Sequence, residues 1–248
     1  MDPVLASLLR DMGFTVWVPR RDASALPVAE AEPAAAASLA LSVPPLERAS
    51  PAVEPASQTP AERPDWDALE SAVAGCTRCA LAAGRTRTVF GVGARDARWM
   101  IVGEAPGAEE DKRGEPFVGR AGKLLDAMLA ALGLARGEVF ITNIVKCRPP
   151  GNRDPQPQEA ATCRPYLAAQ IDWVKPALIL ALGRVAAQNL LGVETPVGRL
   201  RGRVHQGPND RPLVVTYHPA YLLRTPSAKQ KVWEDLKLAL ATASPRAA

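Results

Sequence analysis

The sequence has no long apolar run: no window of its 248 residues approaches the roughly 20 apolar positions that a membrane-spanning helix needs. The opening stretch MDPVLASLLRDMGFTVW carries Asp2, Arg10 and Asp11 beside a short apolar segment, and it lacks the basic start and extended apolar core of a secretory signal. A soluble, cytoplasmic protein is the expectation. Cysteine is scarce, with four in the chain, and a reducing compartment argues against a disulfide framework. Aromatic residues are absent from Val28 to Pro64, where the chain is almost entirely Ala, Pro, Ser and Glu. A segment so poor in large apolar groups cannot bury enough surface to offset its conformational entropy. Residues 27–65 are therefore expected to be a flexible Ala/Pro-rich linker, part of a disordered N-terminal extension. Residues 1–26 place Leu5, Leu8, Leu9 and Met12 at helical spacing, which fits a short arm docking on a protein partner and fits a loosely packed arm equally well.

Charge divides the chain at the same place. Of 30 Lys+Arg and 26 Asp+Glu, residues 1–65 hold 5 and 9, leaving 25 and 17 for the remainder, so the basic character belongs to residues 66–248. A polyanionic partner and a merely solvated basic surface are both compatible with that balance.

From residue 66 onward, short apolar runs alternate with helical periodicity. RWMIVG (98–103), EVFITN (138–143), ALILALG (177–183) and PLVVTYH (212–218) have the length of buried strands. Helical spacing occupies 122–133, 157–174, 183–192 and 229–241. This alternation predicts an α/β fold: three αβα layers around a central, mainly parallel four-stranded sheet, over residues 66–243. Ligands of such sheets bind beyond the carboxyl ends of the strands. Three of the four runs leave Glu104, Asn143 and His218 at that rim. His218 is one of two histidines, and Pro219 fixes the backbone beside it. Each has an ordinary alternative (a helix-start acid, an Asx cap, a surface histidine), and Phe117 could be plain core; their joint position favours a site.

The cysteines have their own pattern. Cys76 and Cys79 form a close pair in GCTRC, while Cys147 and Cys163 bound a proline-rich loop bearing Arg148, Asn152 and Arg153. One close pair and two distant thiols read as metal or cluster ligands, and four thiolates suit either an iron-sulfur cluster or a structural zinc.

GEAPG (103–107), EPFVGRAG (115–122), TNIVKCRPP (142–150) and HPAYLLR (218–224), taken with the four cysteines, resemble the family 4, iron-sulfur uracil-DNA glycosylases over about Trp66 to Ala241. The resemblance implies a [4Fe-4S] cluster on Cys76, Cys79, Cys147 and Cys163, with zinc the less favoured occupant. It implies a monofunctional enzyme, expected to be a monomer, that flips uracil out of DNA and hydrolyses its N-glycosidic bond at the start of base excision repair. Uracil binding would fall to Gly103, Phe117, Asn143 and His218, with Phe117 stacking on the base. Asn143 offers one donor to uracil O4 and one acceptor to N3–H, a pairing that cytosine cannot match. His218 would stabilise negative charge on O2 as the base departs, and Glu104 would position the attacking water. Relatives place an aspartate slightly displaced from Glu104, so this sequence departs from their pattern there. Arg148, Arg153 and Arg224 are expected to meet phosphates, and Leu222 and Leu223 to fill the vacated stack, although core packing explains either leucine as well. No lysine falls on a motif as a Schiff-base nucleophile. The Asn143-to-Cys163 interval holds no histidine, which argues against covalent trapping of the product. Two other classes remain: a catalytically silent DNA-binding or polymerase-associated module, and a zinc-stabilised hydrolase acting on another base.

Overall fold

The computed structural model describes residues 65–243. The expected docking arm and nearly all of the linker lie outside these described residues. In chain order the elements are helix α1 (Trp66–Ala74), strands β1 (Val92–Gly93) and β2 (Trp99–Gly103), helices α2 (Ala108–Arg113) and α3 (Arg120–Ala131), β3 (Phe140–Asn143), α4 (Pro157–Val174), β4 (Leu178–Leu182), α5 (Gly183–Leu191), α6 (Val197–Leu200), β5 (Val204–Gln206), β6 (Pro212–Thr216), α7 (Pro219–Arg224) and α8 (Lys229–Ala243).

The four anticipated strands form the parallel centre of the sheet in the order β3-β2-β4-β6. Two short antiparallel strands, β1 beside β3 and β5 beside β6, extend it to six. Apolar residues fill the central strands because both faces are covered. Met100, Val102, Phe140, Ile179, Ala181, Leu213 and Val215 pack in one core with α1, α4 and α5. The alternate residues Trp99, Ile101, Ile141, Leu178, Leu180, Leu182 and Val214 pack in the other, with α3 and α8. Period-2 alternation thus feeds two cores from one set of strands, giving the αβα layers. Trp66 anchors α1 edge-on against Phe90, Phe140 and Trp173, with ring centroids 5.3, 5.4 and 6.2 Å away.

The chain passes from β2 outward to β3, then returns across β2 to β4 and on to β6. The strand order therefore reverses between β2 and β4, and a crevice opens at such a switch point beyond the carboxyl ends. No helix among the described residues is long and apolar enough to cross a membrane.

Candidate functional site

A cleft of about 470 Å³ opens at that point, lined among others by Glu104, Phe117, Asn143, Asp154, His218 and Arg224. Its floor is set by strand register. Gly103 pairs with Asn143 across β2 and β3, so the last residue of one strand stands beside the last of the next. A Cβ on Gly103 would lie 2.4 Å from Asn143 Oδ1 and 2.6 Å from Phe117 Cζ. Glycine is required because amide and ring already occupy the space a side chain would take.

Asn143 is 2% exposed. Its backbone carbonyl accepts from Lys146 Nζ at 2.9 Å, and the same ammonium donates to Thr142 Oγ1 and Gln170 Oε1, both at 2.6 Å. Thr142 Oγ1 and Gln170 Nε2 in turn each donate to the Phe90 carbonyl at 2.9 Å. The residue is held from below by a buried polar network. Burial pulls the Lys146 ammonium down to about 7, with Cys163 opposing. Only the Asn143 side-chain oxygen is left over: among the described residues, Oδ1 is the one buried side-chain N or O atom without a hydrogen-bond partner. An orphan acceptor of this kind costs about 1–3 kcal/mol until a donor reaches it, and Asn143 lines the cleft.

Phe117 adopts φ 53°, a left-handed backbone that a bulky side chain rarely takes. Glu110 on α2 holds it there. Its Oε1 accepts from the amides of Val118 and Gly119 at 2.9 and 3.1 Å, and its Oε2 accepts from Gly107 at 3.1 Å. One carboxylate thereby ties the loop after β2 to the loop carrying Phe117. Gly122 completes the fit, since a Cβ there would lie 1.8 Å from the Phe117 carbonyl oxygen.

His218 is the N-cap of α7, and its Nδ1 accepts from the Ala220 amide at 3.1 Å. Burial, helped by Arg224 and opposed by Glu110, lowers its pKa to about 4. The imidazole is therefore neutral near pH 7, and with Nδ1 engaged as acceptor its proton sits on Nε2 as a donor. Its ring stacks on Phe117, with centroids 5.5 Å apart and planes tilted by 30°. Gly183, at φ 88°, lets the β4–α5 turn pass close: a Cβ there would lie 3.0 Å from His218 Cβ. Glu104, at the exit of β2, is raised to about 7 by burial and then by Asp154, with Arg184 opposing.

A flat apolar face, a buried unpaired amide oxygen and a neutral imidazole donor thus line one crevice at the sheet's switch point, flanked by a carboxyl group. The profile of the uracil DNA glycosylase superfamily matches residues 90–237, more than half of the chain. The chain belongs to the uracil DNA glycosylase superfamily. It is 44% identical over 179 residues to a type-4 uracil-DNA glycosylase of Archaeoglobus fulgidus, covering 69% of this chain and 89% of the relative. Against a type-4 enzyme of Pyrobaculum aerophilum, identity is 43% over 181 residues, covering 70% and 92%. It is also 32% identical over 151 residues to a DNA polymerase of Bacillus phage SP01, covering 60% of this chain and 16% of that protein.

This superfamily member gathers all the cleft residues expected from its sequence, Gly103, Glu104, Phe117, Asn143 and His218, around one space. The four cysteines also meet: Cys76, Cys79, Cys147 and Cys163 line a second cavity near α1 and α4. None is in a disulfide. Arg85 donates to the Cys76 carbonyl at 2.6 Å and to Cys147 Sγ at 3.3 Å. The expected DNA-facing residues divide. Leu223 is 41% exposed on α7, and Arg224 lines the cleft beside it. Leu222 is 1% exposed and belongs to the core shared with α3 and α8, so it is not a wedge. Arg148 donates to Asn152 Oδ1 at 2.7 Å. Arg153 is committed to Glu159, with bonds of 2.8 and 2.7 Å, so its guanidinium braces the loop instead of standing ready for a phosphate. Sequence reading missed Glu110, Lys146, Asp154 and Arg184. For Glu110, its place three residues after Gly107 at a helix start was the available signal.

Proposed function

We propose that this chain is a monofunctional uracil-DNA glycosylase that hydrolyses the N-glycosidic bond of a flipped-out deoxyuridine and so begins base excision repair. The observation that carries this is the unpaired, buried Oδ1 of Asn143. Uracil presents N3–H to such an acceptor and O4 to the amide donor of the same side chain. Cytosine presents a bare N3 and an amino group, leaving both halves of the amide facing like groups in a desolvated site. Phe117 supplies a face for stacking, and no lysine lines the cleft to form a Schiff base.

As the C1′–N1 bond breaks, its electron pair passes into the uracil ring and negative charge grows on O2. The neutral His218 meets that oxygen with Nε2–H, a donor fixed in direction by the Ala220 amide on the opposite nitrogen. Glu104 in its ionised form orients a water toward C1′ and takes its proton. Leu223 and Arg224, at the end of α7, face the vacated stack and the phosphates. The joint presence of acid, amide and imidazole disfavours a silent polymerase-associated module. It equally disfavours a hydrolase for another base.

The four thiols fit a [4Fe-4S] cluster as a structural group. They line one cavity, and four thiolates are the ligand set that such a cluster takes. Cys147 and Cys163 would close the loop between them onto the Cys76/Cys79 turn and set its shape against DNA, with no electron transfer in the reaction.

Incubation with an oligonucleotide holding one uracil, followed by alkali, tests the activity. Scission at that position is expected. An intact strand, with a control glycosylase active, would reject it.

A further inference from the structure

The cavity lined by the four thiols is also lined by cations: Arg78, Arg85 and Lys146. The acid in that lining, Glu159, is already taken by Arg153. Lys146 commits its ammonium to Thr142, Asn143 and Gln170, and the Arg78 guanidinium lies over the Tyr166 ring, 5.8 Å from its centroid. Arg85 is placed differently. Its Nη1 donates to the Cys76 carbonyl at 2.6 Å and to Cys147 Sγ at 3.3 Å, and its Nη2 donates to the Ala74 carbonyl at 3.2 Å. One guanidinium thereby joins the turn of the close cysteine pair to a thiol 62 residues further along the chain. Among the described residues no carboxylate forms an ion pair with it. Its backbone is held from the other side, where the next two amides, of Thr86 and Arg87, donate to Asp111 Oδ1 on α2 at 2.9 and 3.4 Å. A half-buried arginine with no acid and a bond to sulfur is placed to meet negative charge on the thiols.

We propose that Arg85 is a positioning residue for the four-thiolate set, holding Cys147 and the Cys76 turn together and supplying positive charge to the sulfur ligands of the cluster. This rests on the reading of the four cysteines as cluster ligands. Thiols bind metal as thiolates, and four thiolates outweigh the positive charge of an iron-sulfide core, so the loaded set is an anion. In a partly enclosed cavity such an anion needs a counter-charge, because burial penalises unpaired charge. An N–H donor directed at a ligand sulfur provides it. The donor also orients the ligand, and by drawing electron density from the sulfur it favours the more reduced cluster and raises its potential. The fork matters beside the charge. Two nitrogens of one planar group reach three acceptors from separate segments, an arrangement that the single ammonium of a lysine cannot reproduce.

The full chain and its Arg85→Met and Arg85→Lys variants, all prepared without oxygen, provide the test. Two properties of each are measured: the rate at which iron passes to an excess of chelator, and the midpoint potential of the bound cluster by film voltammetry. Arg85→Met should lose iron about tenfold faster than wild type, as expected when a group that orients a metal ligand is removed. Its remaining cluster should have a more negative potential. Arg85→Lys keeps the charge without the fork and should fall between the two proteins in both properties. A merely structural role for Arg85 would hasten iron loss and leave the potential of the bound cluster where it was. An unmoved potential in Arg85→Met therefore overturns the proposal, and so does iron retention equal to wild type. Should Arg85→Met fail to fold, Arg85→Lys decides alone, wild-type values in either property counting against the proposal. A colourless wild type holding zinc alone sinks the cluster reading and this proposal with it, leaving uracil excision intact.

Discussion

The side chain of Asn143 is left incomplete, with Oδ1 unpaired. The network of Lys146, Thr142 and Gln170 fixes its backbone, and in the proposed reading the cost of the unmade bond at Oδ1 would be recovered when N3–H arrives. Gly103→Ala probes that space directly. The new methyl would overlap Asn143 Oδ1 and Phe117, so excision should fall at least about a hundredfold, while far-ultraviolet circular dichroism stays that of the wild type. Retained activity would show that neither group contacts the base. His218 makes a pH prediction of definite sign. Its folded pKa of about 4 lies below the ordinary 6.5, so its stabilising contribution is complete above 6.5 and is lost as pH falls toward 4, where the unfolded chain binds a proton the folded one refuses. The loss is on the order of 3 kcal/mol. Melting temperature should therefore drop more between pH 7 and 4.5 in the wild type than in His218→Asn, as scanning calorimetry would read. An equal drop would mean that the imidazole is solvated.

Helix α7 shows how one short element serves core and surface. Leu222 points inward and Leu223 outward, neighbours separated by about 100° of helix rotation. Leu222→Ala should destabilise by about 3 kcal/mol, as buried leucine truncations do. Leu223→Ala should leave the melting temperature unchanged and weaken uptake of uracil from duplex more than from single strands. The reverse pattern would place the wrong leucine at the DNA. Two adjacent leucines in a six-residue helix carry no periodic signal, which is why the sequence left both open. The four central strands were legible because burial on both faces makes them continuous apolar runs, and no anticipated strand or helix end moves by more than two residues. Strands β1 and β5, of two and three residues, are too short to show a period. Asp154 was hidden for another reason: its ion-pair partner Arg184 stands 30 residues away, and only the crossover from α4 through β4 brings them together.

At the scale of the molecule, the chain combines a basic balance over residues 66–248, a cysteine-lined cavity and a cleft. The positive balance of residues 66–248 predicts that DNA affinity falls steeply with salt as counterions are released. Arg224→Ala should reduce the slope of log affinity against log salt by about one. An unchanged slope would remove Arg224 from the phosphate contacts. The cysteine cavity predicts a brown protein prepared without oxygen, with broad absorbance near ~400 nm and about four irons per chain. A colourless preparation holding one zinc would contradict the cluster.

Base identity is the central claim, and one comparison reaches it most directly: free base released in a single turnover from duplexes carrying uracil or cytosine at one position, by wild type and Asn143→Asp, measured by mass spectrometry. The account predicts rapid release of uracil and none of cytosine by the wild type. In the variant, uracil release should drop by about a hundredfold or more, with measurable release of cytosine, whose amino group a carboxylate accepts. Uracil release at the same rate by both proteins would contradict it.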